Sequence, residues 1–409
     1  MNRQASRVIF LVDMNAFFIS CEMARNPDLK GHPAAVAGDP KKRTGIILAA
    51  NYEARKFGVK TTMPVHEALN LCPGLVLVPP TRGLYAKKSR EVMEILSRFT
   101  PIIQQNSIDE AWLDLTGCEG LFGNPVRIAE KIMNDIVNEL DLWCSIGISE
   151  NKFLAKMASE MKKPLGITVL WVKDIEEKLW PLRVGEMYGI GKQTEKRLNE
   201  MGIMTIGDLA RCSEKLLREE FGKYGEEMKR LANGIDPSPV VPHGNTGIKS
   251  ISRSITLSKD ITDIEHAMSV ILGLAEEVGE EARRNNFRGK TASIVIRYSD
   301  FKTITRQKTI APSFLTREIY AACCELLKDN WDSGKPVRLL GVGLSNAHTD
   351  EYAAEQLSIF DVNKELQDEV TKEEKLEKAM DSIRSRFGRD KLVRAKLVDG
   401  GRKQAKKDE

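Results

Sequence analysis

Hydrophobic positions along the chain fall into two rounds of one element order. The first round opens on Val8-Ile9-Phe10-Leu11-Val12, an unbroken apolar run that predicts a strand buried on both faces. A short helix over Met14–Met23 follows, then an insertion broken by Pro27 and Gly31, in which Ala34–Ala37, Gly45–Ala50 and Leu75–Val78 read as strands. Its helices are Asn51–Gly58, stopped by Gly58, and Pro64–Leu71, stopped by Cys72-Pro73-Gly74. Helix Leu84–Phe99 leads to Ile102 and Ile103, to the acid pair Asp109-Glu110 and to an alternating exit, Ala111–Leu115. That pattern predicts a hairpin with the two acids at its tip. Helix Asn124–Leu140 and strand Trp143–Ser149 close the round. With the insertion set aside, the order is the βαββαβ of a ferredoxin-like sheet, in which the first and third strands are central neighbours. Asp13, at the end of the first strand, therefore comes beside Asp109 and Glu110, although almost a hundred residues separate them.

The second round lies beyond Pro237, Pro239 and Pro242, which with Gly244 and Gly247 mark a linker at 238–247. Strand Ile248–Leu257, helix Ile264–Asn285, strands Thr291–Tyr298 and Thr303–Thr309, helix Thr316–Asp329 and strand Arg338–Leu344 repeat the order without acidic tips. Between the rounds, Met187–Thr194, Leu198, Met201-Gly202-Ile203 and Ile206–Leu209 predict two helices around a Gly-bounded turn. The turn Gly189-Ile190-Gly191, with Lys192 behind it, could aim backbone N–H groups at a phosphate. The fold class is thus α+β, with several domains in 409 residues.

Composition narrows the class. With 42% hydrophobic and 29% charged residues the chain is an ordinary soluble one, and no apolar run is long enough to span a bilayer. The amino terminus carries no signal-peptide cleavage pattern, and seven cysteines without paired spacing predict reduced thiols in the cytoplasm. Five scattered histidines argue against a histidine-based metal site. The net charge of +4 says little until its distribution is considered. Lys249, Arg253, Arg297, Lys302, Arg306 and Lys308 fall on strands and turns of the second round, suited to phosphates. A charged helical pattern at 364–387 precedes a basic tail: from Arg384 to Lys407, ten Lys or Arg stand against Asp390 and Asp399, a run of the kind that is usually disordered.

Carboxylates at the ends of buried strands are costly unless solvated, paired or bound to a metal. Three converging on one sheet edge repel each other, and a divalent cation relieves that.

Four segments carry a specific resemblance. LVDMNAFF, AANYEARKFGVK, SIDEAWLDL and GISENKFLAKMASEMKKPLGI resemble, in order and spacing, the signature blocks of the Y-family DNA polymerases, DinB or DNA polymerase IV branch. The resemblance implies a right-hand polymerase with a ferredoxin-like palm (1–16 and 81–170), small fingers (17–80), a helix-hairpin-helix-like thumb (171–237) and a ferredoxin-like little finger (248–348). A clamp-binding motif and charged tail fill 349–409. It implies two magnesium ions bridged by Asp13 and Asp109, with Glu110 on the ion that activates the primer hydroxyl and the Met14 carbonyl completing the nucleotide-bound site. Ser107 and Asn106 are supporting residues.

The same resemblance assigns the nucleotide contacts. Tyr52 and Arg55, three apart on a helix, share a face toward the triphosphate, and Lys163 matches the family's palm lysine. Phe18 matches the steric gate against a 2′-hydroxyl, with Phe17 its core-facing neighbour in the nucleotide pocket. Ala16 departs from family members that carry an aromatic or hydroxyl residue there. Gly189, Gly191, Lys192, Lys249, Arg253, Arg297 and Arg306 become DNA contacts. Gln356-Leu357-Ser358-Ile359-Phe360 resembles the bacterial sliding-clamp motif, through Gln356, Leu357, Ile359 and Phe360. The implied activity is error-prone translesion synthesis by a monomer acting on primer-template DNA and dNTPs, with low processivity and no proofreading exonuclease. A nucleotide cyclase would not need the hairpin and second basic domain, a nuclease would show further His or Asp clusters, and an inactive DNA-binding relative would have lost an acid.

Overall fold

A computed structural model describes residues 7–39, 45–242, 248–347, 364–395 and 397. Gln356, Leu357, Ile359 and Phe360 lie outside the described residues. Contacts divide the chain into two units, Met1–Thr246 and Gly247–Glu409.

The first unit starts with strand β1 (Ile9–Met14), helix α1 (Phe17–Arg25), strands β2 (Ala34–Ala37) and β3 (Ile47–Ala50), helices α2 (Tyr52–Lys56) and α3 (Val65–Leu71) and strand β4 (Val76–Val78). It continues through α4 (Leu84–Leu96), β5 (Ile103–Gln105), β6 (Glu110–Asp114), α5 (Glu119–Phe122), α6 (Pro125–Leu140), β7 (Cys144–Ser149), α7 (Lys152–Met161) and β8 (Ile167–Val169). Five helices end it: α8 (Ile175–Lys178), α9 (Lys192–Glu200), α10 (Ile206–Arg211), α11 (Glu214–Phe221) and α12 (Lys223–Ala232). The main sheet has the order β5-β6-β1-β7-β8, so β1 is central and antiparallel to both neighbours. The second sheet, β3-β2-β4, is the core of the insertion.

The unbroken apolar run of β1 is explained by its two covered faces. Phe10, Val12 and Met14 pack with the apolar sides of α4 and α6, while Ile9 and Leu11 meet Trp112 and Ala155 on the other face. The expected helix from Met14 begins instead at Phe17. Asp13 and Met14 still pair with Ser145 and Cys144, and Ala16, in the left-handed region at φ 48°, turns the chain into α1. Helix α7 and strand β8 had no counterpart in the sequence pattern. Seven of the ten residues of α7 are buried, including two members of the polar stripe Lys152, Lys156, Ser159 and Glu160 that recurs at helical spacing. It lies hard against β7 because Gly147 has no side chain: a Cβ there would stand 1.9 Å from the Ala155 carbonyl oxygen.

The second unit holds β9 (Ser250–Ile261), α13 (Ile264–Arg284), β10 (Gly289–Tyr298), β11 (Thr303–Ser313), α14 (Thr316–Asn330), β12 (Val337–Ala347) and α15 (Lys364–Phe387). The element order is the expected βαββαβ, but the strands lie in the order β11-β10-β12-β9. Here the first strand is at the edge, whereas a ferredoxin-like sheet, like that of the first unit, holds it inside. Both orders leave a one-strand gap beneath each helical crossover, so element order alone cannot distinguish them. Part of the basic run expected to be a loose tail is also structured. Arg384 is buried against Glu276 at 3.0 Å, Arg394 reaches Glu276 and Glu377 at 2.7 and 2.8 Å, and Arg389 pairs with Glu280 at 2.6 Å. Arg283 of α13 faces Glu377 and Asp381 of α15, and its side chain is 4% exposed.

Candidate active site

The central position of β1 decides which side chains meet. Asp13 stands opposite Glu110 of β6 and Ser145 of β7, so its carboxylate and that of Glu110 emerge together at one end of the sheet. Asp109 precedes β6 on the turn. Its main-chain carbonyl accepts the Met14 N–H at 3.0 Å and its carboxylate accepts the Ser107 hydroxyl. The Asn106 amide donates to Glu110 at 3.0 Å.

A third carboxylate joins Asp13 and Glu110, and it is Glu160 of α7. One oxygen from each of the three lies within 4.8 Å of the others. Oxygen-only donors of this kind fit a hard divalent cation such as Mg2+. Two ammonium groups stand among them. Lys156 Nζ lies 3.0 Å from Asp13 and 2.9 Å from Glu160 and also donates to Glu110; Lys163 Nζ lies 2.8 Å from Asp13 and 2.9 Å from Glu160. Sequence reasoning missed Lys156 and Glu160. The available signal was a lysine inside the apolar run Phe153–Ala158 with an acid four residues on.

Burial and charge pull these groups apart. Burial pushes the Asp13 carboxyl above its ordinary range, against Lys163 and Lys156. Burial acts the same way on Glu110, but hydrogen bonds with Asp13 and Lys156 and the Lys156 charge prevail and hold it low. For Lys156 and Lys163 burial favours the neutral amine, yet Asp13 and the hydrogen-bonded carboxylates outweigh it and raise both.

Asn15, another residue the sequence did not single out, ties this end together. Its buried side chain donates to Ser145 Oγ at 3.1 Å and accepts the Leu165 N–H at 2.9 Å, anchoring the loop that carries Lys163. On the insertion side, Asn51 caps α2 and bridges to Ala34 and His32, which fixes Tyr52 and Arg55. The Arg55 guanidinium stacks 5.0 Å from the Tyr52 ring centre and donates to the Ala50 carbonyl. Among the described residues the buried Tyr52 hydroxyl has no hydrogen-bond partner, and burial raises its pKa, moderated by the charges of Arg55 and Lys163. Phe17 enters the core beneath β1; Phe18 is half-buried and stacks on Tyr85.

The expected DNA contacts divide into groups. Gly189 adopts φ 94°, its carbonyl accepts the Tyr224 hydroxyl at 2.6 Å, and Gly191 caps α9 with Lys192 as its first residue. In the second unit Lys249 is exposed just before β9. Arg253 and Arg306 lie on the helix-covered face of the sheet, 3.6 Å from Glu281 and 2.8 Å from Asn330. Of these two and Arg297, Arg297 alone is on the open face, where it donates to Thr303 among Ser252, Ser254, Ser293, Thr305 and Gln307.

Comparison with known proteins bears on this arrangement. The impB/mucB/samB family model matches residues 12–160, the IMS family HHH motif 172–203, and the impB/mucB/samB family C-terminal domain 248–359. A DNA polymerase IV of Clostridium kluyveri is 57% identical over 95% of this chain and 97% of its own, and one of Alkaliphilus oremlandii 52% identical over 96% and 99%. DNA polymerase IV 1 of Bacillus subtilis is 41% identical over 95% and 92%. Among solved structures, a Y-family DNA polymerase chimera, Dbh-Dpo4(243-245)-Dbh, superposes with a TM-score of 0.73 at 30% identity, over 83% of this chain and 99% of the chimera. Matched along nearly its whole length by such relatives, the chain belongs to the Y-family DNA-directed DNA polymerases, in the DNA polymerase IV branch.

Proposed function

We propose that the chain extends a primer 3′ end on a DNA template by error-prone, translesion-type nucleotidyl transfer, using Asp13, Asp109 and Glu110 with two Mg2+ ions. The observation that carries this reading is the meeting of Asp13 and Glu110 on adjacent strands, with Asp109 on the turn just before Glu110 and its carbonyl accepting the Met14 N–H. Bound there, Mg2+ supplies activation of the primer hydroxyl and neutralises charge on the triphosphate. The Met14 carbonyl would add a donor for a bound metal. Lys163 and Arg55 bind phosphate oxygens, and the unpartnered Tyr52 hydroxyl donates to one. Phe18, beside Phe17, blocks a 2′-hydroxyl.

In this reading 1–16 and 81–170 are the palm, 17–80 the fingers, 171–237 the thumb, 238–247 a linker and 248–348 the little finger. Gly189, Gly191 and Lys192 hold the duplex backbone by their N–H groups and charge, and Lys249 and Arg297 hold it from the second unit. Arg253 and Arg306, beside acid and amide partners, contribute more weakly. The enzyme works as a cytoplasmic monomer without a proofreading exonuclease; no helix among the described residues is long and apolar enough to cross a membrane. It dissociates readily from DNA unless Gln356, Leu357, Ile359 and Phe360 dock to a sliding clamp, which raises its local concentration.

Primer extension with Mg2+ as the sole metal tests the reading. Asp109→Ala and Glu110→Ala should each lower nucleotide addition by about a thousandfold or more while sparing primer-template binding; near-normal extension by either refutes the assignment. Adding the clamp to a Leu357→Ala, Phe360→Ala double variant should give no stimulation, and full stimulation would move the contact elsewhere.

A further inference from the structure

We propose that Lys156 is the resident counter-ion of the carboxylate site, and that Glu160 is the partner that holds it when a divalent cation takes over Asp13 and Glu110. The inference rests on the metal reading above and deepens it.

Lys156 is 8% exposed, and its ammonium contacts three carboxylates at once. Without it, the buried carboxylate of Asp13 and the half-buried one of Glu110 would repel each other across their register on paired strands. The same ammonium cannot keep those two partners while they ligate a divalent cation, because like charges a few ångströms apart repel strongly even under the screening of a protein surface. A buried ammonium that lost both without another partner would be left uncompensated.

Glu160 meets that need by position. It lies one helical turn after Lys156 on α7, already 2.9 Å from the ammonium, and its side chain is 49% exposed. A lysine stem of four carbons can swing its head from the sheet edge toward this wetter carboxylate without moving the helix. The close seat of α7 on Gly147 keeps the backbone fixed while the side chain moves. Glu160 also holds Lys163 at 2.9 Å, so a single carboxylate serves both cations. Lys156 is in this view a positioning residue: it keeps the carboxylates together in the empty enzyme and competes with the metal.

The test is Mn2+ binding to the full chain, followed by the electron paramagnetic resonance signal of the free ion, with thermal unfolding in chelator as a second readout. Lys156→Met should bind Mn2+ about tenfold more tightly, since the competitor is gone, and melt lower in chelator, since the carboxylates then repel. Glu160→Gln should bind more weakly, by about threefold, because Lys156 stays on Asp13 and Glu110. The double variant Lys156→Met, Glu160→Gln should lose less against Lys156→Met than Glu160→Gln loses against the wild type, because only the hold on Lys163 is left for Glu160 to supply. Unchanged or weaker binding by Lys156→Met overturns the inference. A double variant as much weaker than Lys156→Met as Glu160→Gln is than the wild type would make Glu160 a ligand instead, and also overturns it. Wild-type binding that survives Asp13→Asn would overturn the metal reading as well.

Discussion

The rings of Phe18 and Tyr85 lie parallel, 3° apart, with their centres separated by 4.0 Å. Tyr85 is itself fixed, donating from its hydroxyl to Glu22 at 2.8 Å and accepting the Thr81 N–H at 3.1 Å. Phe18 thus cannot rotate freely, as a gate against a 2′-hydroxyl requires. Phe18→Ala should lower the preference for dNTP over rNTP, measured as a ratio of kcat/KM values, on the order of a hundredfold. Tyr85→Ala should lower it partly and Tyr85→Phe hardly at all, since the stack survives. An unchanged ratio in Phe18→Ala makes this ring a core residue only.

Stability should depend on pH through Asp13. Burial raises its carboxyl, so the folded chain holds that proton more tightly than the unfolded one. Its contribution therefore falls as pH rises from the ordinary carboxylate range through the raised value. In chelator, the wild type should therefore lose stability as the pH rises from the ordinary carboxylate range toward neutral, and Asp13→Asn, which lacks that group, should lose less over the same range. Added Mg2+ should stabilise the wild type and leave Asp13→Asn nearly unmoved. A steeper fall with rising pH in Asp13→Asn than in the wild type would contradict the direction given.

Gly147→Ala should damage both fold and activity. Its Cβ would meet the Ala155 carbonyl oxygen at 1.9 Å and the Ser159 nitrogen at 2.5 Å, both backbone, so α7 must lift from β7 and carry Lys156 and Glu160 away. The expected loss is about 3 kcal/mol or more by chemical denaturation. Gly191→Ala, where an added Cβ meets nothing within 4 Å, should cost well under about 1 kcal/mol and serves as the control.

Glu377→Ala should loosen the second unit. It strips Arg283, 4% exposed, of one carboxylate, and it also ends the contacts with Arg394 and the Thr316 hydroxyl. Breaking one side of such a pair costs about 3–5 kcal/mol, whereas replacing both sides by Met and Leu is close to neutral. Equal destabilisation by the single and the double replacement would show that packing, not charge, holds α15.

The parts of the fold that were legible had a clean period. The apolar run of β1, the alternation around Trp112 and the long helices α6 and α13 declared themselves, and Asp13 with Glu110 followed from where strands end. Helix α7 carries a stripe too, Lys152, Lys156, Ser159 and Glu160 at helical spacing, but that stripe is partly buried rather than solvated, and Lys156 and Glu160 went unread with it. Asp109, on the turn before β6, accepts the Ser107 hydroxyl, and Glu110, the first residue of that strand, joins Asp13 and Glu160. The strand order of the second sheet was hidden for a different reason, since helix and strand periods carry no information on which gap a later strand fills.

The ion-pair layer between α13 and α15 also sets a schedule for the newborn chain. Arg283 is separated from Glu377 by 94 residues and from Asp381 by 98, and Glu276 from Arg394 by 118. At ribosomal speeds of about 5–20 residues per second, that leaves roughly 5–20 s in which α13 has been made and its partners have not. Through that interval Arg283 and Glu276 must stay hydrated, so the face of α13 that α15 later covers cannot close. The second unit is therefore completed only once the stretch that carries Glu377, Asp381 and Arg394 has been made.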